Sequence, residues 1–85
     1  MGKRRDLLEA ARDNPANVRF GALCTLVESA GYELARQAGS HRIYVHRTRL
    51  GVPMISLQKG RSGKAKPYQV RQVVRIIDEH GLMEE

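Results

Sequence analysis

Phe20, Leu23, Cys24, Val27 and Ala30 follow one another at i, i+3, i+4, i+7 and i+10, the spacing that gathers apolar side chains on one side of a helix. Leu26 widens that face. Gly31 can take the left-handed conformation that closes a helix, and Tyr32 supplies the apolar contact beyond it. Asn17 stands where an N-cap belongs. The same period returns at Val70, Val73, Val74 and Ile77, with Ile76 at the edge. Pro67 suits the first position of that second helix, and Gly81 backed by Leu82 suits its end. Two amphipathic helices need an apolar surface to cover, and the residues between them must supply it.

Those residues read as strands. Tyr32 and Leu34 alternate with Glu33 and Ala35, so 32–37 predicts a first strand. Residues 41–47, rich in β-branched and aromatic side chains, predict a second. Pro53 to Gln58 predicts a third, with Ile55 and Leu57 on one face. The turns at Ala38-Gly39-Ser40 and Thr48-Arg49-Leu50-Gly51 are short enough for an antiparallel meander. The expected fold class is α+β: a two-layer sandwich with a three-stranded antiparallel sheet and two helices on one face. Its order, α-β-β-β-α, is that of double-stranded-RNA-binding domains. The other sheet face is expected to be open, with Tyr44 and His46 on it.

Residues 3–13 predict a further short helix, with Leu7, Leu8 and Ala11 on one side, ended by Asn14-Pro15. Lys3, Arg4 and Arg5 oppose its dipole, so it needs docking to hold. The division expected is an N-terminal extension over 1–16, the domain over 17–82 and a frayed tail over 83–85.

Eighty-five residues, 41% of them apolar, make one small core. A scaffold of this size commands about 3–5 kcal/mol of net stability. The single cysteine, Cys24, excludes an internal disulfide, and its place on the helical face reads as a buried thiol. Without an apolar run near the ~18 residues of a membrane span, or a secretory h-region, the expectation is a cytoplasmic protein with no membrane partner.

The formal charge is +6, and it is segregated. No Asp or Glu lies between Glu33 and Asp78, whereas Arg36, Arg42, Arg47, Arg49, Lys59, Arg61, Lys64, Lys66, Arg71 and Arg75 all do. With a pI of about 10.1, such a domain suits a polyanionic or acidic partner; a plain solvated basic surface is the alternative. The loop Lys59 to Lys66 (KGRSGKAK) feeds a helix whose exposed N–H groups would attract phosphate, with Lys64 and Lys66 in support.

His41 follows the Gly39-Ser40 turn within this acid-free stretch. An imidazole can take and give protons near neutral pH, and the surrounding cations could hold a phosphorane, so the arrangement suits phosphodiester chemistry. The competing reading is a strand-start histidine satisfied by backbone. His46 falls on the opposite face by alternation, and His80, near a helix C-terminus, reads as structural. Three scattered histidines suggest no metal, and no cofactor is expected. For a second proton-transfer group the candidates are Tyr44, His46, Lys59 and Lys66, in decreasing order.

Gly31-Tyr32, the run Arg36-Gln37-Ala38-Gly39-Ser40-His41-Arg42-Ile43-Tyr44, Val52-Pro53, Lys66-Pro67, Val70-Arg71 and Gly81-Leu82 together resemble the HicA-type toxins, small mRNA interferases of type II toxin–antitoxin systems. The resemblance spans about residues 18–82. It implies a double-stranded-RNA-binding-like fold, metal-independent ribonuclease activity on mRNA and neutralisation by a HicB-type antitoxin. It gives the catalytic role to His41, with Gly39 and Ser40 as the turn presenting it. The RNA-binding residues expected are Arg36, Arg42, Tyr44, Lys59, Arg61, Lys64 and Lys66. The rival readings are a non-catalytic RNA- or DNA-binding module on the same surface and an adaptor for an acidic protein.

Overall fold

A computed structural model describes residues 3–83 of the chain. Helix α1 (Lys3–Asp13) leads through a 3-10 turn at Pro15–Asn17 into α2 (Phe20–Ser29). Strands β1 (Tyr32–Ala38), β2 (His41–His46) and β3 (Ile55–Gln58) form one antiparallel sheet in the order β1-β2-β3. A second 3-10 turn at Arg61–Gly63 precedes α3 (Pro67–His80). The α+β order read from the sequence is the one observed.

The two periodic faces meet the sheet on one side. Leu23, Val27, Tyr44, Leu57 and Val70 are fully buried in one cluster with Phe20, Tyr32, Ile55, Val73 and Ile77. Cys24 lies in the same cluster as an unpaired thiol. Gly81 closes α3 in the left-handed region at φ 59°, and Leu82 packs against the core behind it. Helix α1 docks on α2 and α3. Ala11 is buried there, Leu7 and Leu8 are half-buried, and the Arg12 guanidinium forms a two-pronged ion pair with Asp78. That hydrogen bond raises the Arg12 pKa above its ordinary value. Of the expected tail, Met83 packs against the core and 84–85 lie outside the described residues, as do 1–2 of the extension. Among the described residues, no helix is long and apolar enough to cross a membrane.

Several local expectations are corrected. Asn17 does not cap α2; it ends the 3-10 turn, and Arg19 stands at the helix start without a side-chain cap. β3 begins at Ile55 rather than Pro53. The Pro53 carbonyl instead accepts the Tyr32 hydroxyl at 2.7 Å, an anchor across the loop. Leu34 is 42% exposed because β1 is an edge strand. The largest correction concerns the sheet faces. Tyr44 is fully buried under the helices, and His46 points to that same side, where it reaches the end of α2. The open face therefore carries His41, Ile43 and Val45.

A bulge in β1 completes that face. Leu34 pairs with Tyr44 but Arg36 pairs with Ile43, leaving Ala35 as the extra residue. In plain alternation Leu34 and Arg36 would share a side. The bulge moves Arg36 to the side of Ile43 and His41.

Candidate active site on the open sheet face

His41 is the first residue of β2 and is exposed. The turn before it needs a glycine: Gly39 sits at φ +60°, and its carbonyl accepts a 3.3 Å bond from the Gln37 side chain. The His41 partners in register are Ala38 on β1 and Gln58 on β3. Residues directly opposite in an antiparallel pair have Cβ atoms about 5 Å apart on the same face. Diagonally across, the Ser56 hydroxyl lies 3.1 Å from His41 Nε2. That contact orients the ring, and a hydroxyl can serve either tautomer because it both donates and accepts.

Gln58 brings in the next group. Its Oε1 accepts a 3.2 Å bond from Lys66 Nζ, so the ammonium is held beside the register partner of His41. Gln58 is itself fixed from behind. Its backbone N–H donates to Oε1 of Gln69 at 3.1 Å, and Gln69, a buried polar residue, donates to the Tyr68 hydroxyl at 3.3 Å. Gly60 lets the loop fold back this tightly. A Cβ there would lie 2.9 Å from the Lys64 carbonyl oxygen and 3.2 Å from Lys66 Cγ.

The expected RNA-contacting residues divide into groups. Arg36 and Lys66 join His41 at the open face. Arg61 lies exposed in the 3-10 turn, and Lys64 bridges the backbone of Arg19. Arg42 points to the helix side of the sheet. Its guanidinium sits 5.6 Å from the centroid of the Phe20 ring and donates to Cys24 Sγ at 3.7 Å. The Arg42 pKa is raised, first by the neighbouring Tyr44 hydroxyl and then by the Cys24 sulfur. Lys59 is exposed and shares a cleft with Arg42 and Arg19. Tyr44 is removed from the set by burial. The same burial pushes its phenol up to about 12, and its hydroxyl donates to Glu28 at a long 3.4 Å.

Among the candidates for a companion to His41, Tyr44 and His46 are therefore turned away and Lys66 is brought near. His46 is spent on structure. Its Nε2 donates to the Ala30 carbonyl at 3.0 Å, satisfying an orphan acceptor at the end of α2. Its Nδ1 accepts the backbone N–H groups of Thr48 and Arg49 at 3.2 and 3.0 Å. These bonds require the neutral Nε2–H tautomer. The ring also meets Tyr32 edge-on, with centroids 5.1 Å apart.

Ser56 and Gln58 were missed in the sequence, although their alternation with Ile55 and Leu57 marks them as the polar side of β3. The result is an exposed imidazole with Ser56, Gln58, Lys66 and Arg36 around it and no carboxylate from residues 34–77. Such a group can move a proton at an anion held by cations. Among the described residues, no three His, Cys, Asp or Glu side chains group as metal ligands.

A family model described as HicA toxin of bacterial toxin–antitoxin matches residues 22–82, well over half of the chain. The matched span takes in β1 to β3, α3, His41, Ser56, Gln58 and Lys66, and leaves α1 outside. Comparison with curated proteins and with solved structures finds no match.

Proposed function

The chain belongs to the HicA toxin family of bacterial toxin–antitoxin systems, and from that premise we propose that it is a metal-independent endoribonuclease cleaving mRNA by acid–base chemistry centred on His41. Membership in the family supports ribonuclease activity in general; the assignment of roles to residues is our reading.

In this reading, RNA lies across the open face with the scissile phosphate between His41 and Lys66. His41 takes the proton of the 2′-hydroxyl, whose oxygen attacks phosphorus. The bond to the 5′-oxygen breaks as that oxygen takes a proton from the Lys66 ammonium, leaving a 2′,3′-cyclic phosphate and a 5′-hydroxyl. The proton held by His41 then passes to solvent as Lys66 is reprotonated. Negative charge builds on the non-bridging oxygens, where Lys66 and Arg36 stabilise it. Lys66 gives one of its three N–H groups to Gln58, and the others are available to the phosphate and the leaving oxygen. Ser56 holds the imidazole in line. One observation carries the reading: the exposed His41 imidazole, 3.1 Å from Ser56, stands beside Gln58, which holds Lys66, at the opposite end of β2 from the one acid that the register puts on this face, Glu33 opposite Val45.

The same cationic face would receive the neutralising antitoxin, of HicB type and acidic where it docks, so that antitoxin and RNA compete. The test is induced expression of the parent and of His41→Ala, scored for growth arrest and RNA decay, with purified protein assayed on RNA in EDTA. Arrest and cyclic-phosphate ends from the parent alone are expected. Cutting by His41→Ala at the parental rate, or a requirement for added magnesium, would overturn the mechanism. Simultaneous, independent binding of RNA and antitoxin would overturn the competition.

A further inference from the structure

We propose that the cleft on the other side of the Gly39-Ser40 turn is a second phosphate site, holding a backbone phosphate of the same RNA strand that reaches His41. This rests on the ribonuclease reading above for the identity of the strand. The cleft has a volume of about 660 Å³ and is walled by three separate segments: the start of α2, the turn between β1 and β2, and the loop between β3 and α3. The lining carries three cations, Arg19 just before α2, Arg42 on β2 just past the turn, and Lys59 just after β3, together with Phe20.

Three features point to an anion. First, the cleft carries no acid, and the ion pair found among the described residues is Arg12–Asp78, which involves none of the three. Like charges drawn from distant parts of the chain around one concavity focus a positive potential there. Second, Arg42 is pre-ordered. Its guanidinium rests over Phe20 and bonds to Cys24 Sγ, so binding costs little further side-chain freedom. Third, the residues of the cleft adjoin those of the candidate active site along the chain. Gly39 and Ser40 line it and lead directly into His41, and Lys59 follows Gln58, the register partner of His41. A strand rounding this end of the sheet meets both sites, which favours the substrate over an acidic peptide as occupant. Arg19 lies outside the acid-free stretch and had no sequence signal to mark it.

The test uses the full chain carrying His41→Ala, so that RNA is bound and not consumed, with a single-stranded RNA oligonucleotide as probe. Affinity is measured across a salt series for this protein, for the added pair Arg19→Gln/Lys59→Gln, and for Arg71→Gln/Arg75→Gln, which removes the same charge from the exposed side of α3. Loss of one phosphate contact lowers the steepness of log K against log salt by about 0.7 for single strands. The cleft pair is expected to show that drop and the α3 pair a clearly smaller one. Equal drops, no drop, or loss of binding only to an acidic protein partner would overturn the site. Melting curves check folding; if the cleft pair does not fold, Lys59→Gln alone, in an exposed loop, carries the test. A parent that never cuts RNA while the cleft pair still flattens the slope would sink the nuclease reading and leave this site standing. A parent that cuts through His41 with an unmoved slope would sink this site alone.

Discussion

The two histidines of β2 sit at opposite ends of one strand and on opposite faces of the sheet. His46 has both ring nitrogens engaged by backbone and one tautomer imposed. His41 is exposed and has the Ser56 hydroxyl as its neighbour. A residue type alone therefore says little about role in this chain. A histidine whose nitrogens are all spent on backbone is a piece of structure, whereas one left facing solvent among cations is available for chemistry. The largest effects should come from separating the two. His41→Ala should lower RNA cleavage by ~10²–10⁴-fold, the usual worth of a general acid or base. Its unfolding free energy should change by about 0.5 kcal/mol or less, as for an exposed position.

His46→Ala should do the reverse. It strips the end of α2 of its acceptor's partner and leaves two loop N–H groups without theirs, which predicts about 2–4 kcal/mol of destabilisation. Gly31→Ala should act at the same joint. Gly31 has φ +104°, and an added Cβ would stand 2.4 Å from His46 Nε2, so either the ring or the helix end must move. Denaturant unfolding of the three variants, run beside the cleavage assay, checks the contrast. If His46→Ala kept full stability and lost cleavage, the assignment of structure to one histidine and chemistry to the other would be wrong.

Tyr44 sharpens the contrast at high pH. Its folded-state pKa is raised to about 12, mainly by burial, against an ordinary value near 10. Burial thus favours the neutral phenol, and this contribution is complete below pH 10. It fades as pH rises from 10 through 12, because the unfolded chain ionises first. The parent should lose on the order of 2 kcal/mol over that window relative to Tyr44→Phe, which has no proton to lose. Parallel melts of the two proteins at pH 9, 11 and 12 measure the difference. A constant gap across the series would mean that Tyr44 contacts solvent and belongs with His41 rather than with His46.

How much of this was legible in the sequence follows from which interactions are local. The apolar period at Val70, Val73 and Ile77, with Gly81 after it, located α3 because helix faces and caps depend on neighbours a few residues away. Alternation along β2 correctly separated His41 from His46. It could not say which side the helices would cover, so Tyr44 and His46 were put on the wrong face: period 2 fixes who shares a side, not which side is buried. The Ser56 and Lys66 contacts come from the register of β3 on β2 and from a loop folded back at Gly60, both set by tertiary packing. The bulge at Ala35, which turns Arg36 toward His41, left no mark that alternation could read.

The smallest effect should come from α1, which lies outside the matched family span and joins the helix side of the molecule. Arg12 and Asp78 make a two-pronged contact between α1 and α3, yet each side chain is 46% exposed. Solvent screens such a pair, and long side chains give up rotamer freedom to form it, so Arg12→Ala should cost about 0.2–1 kcal/mol. The loss should shrink as salt is raised, since the parent's pair weakens while the variant has none to weaken. Docking of α1 rests more on Ala11 and on Leu7 and Leu8, which bury apolar surface that salt does not weaken. The comparison of faces then makes a stricter demand on Arg12→Ala. It removes support from the side where His46 is locked and touches nothing near His41, so cleavage by the variant should equal the parent's wherever both are folded. Unfolding at low and high salt, with cleavage assayed in the same buffers, decides it. A fall in cleavage without a fall in stability would mean that α1 reaches the open face through α3 and Lys66, the residue that precedes that helix as its N-cap.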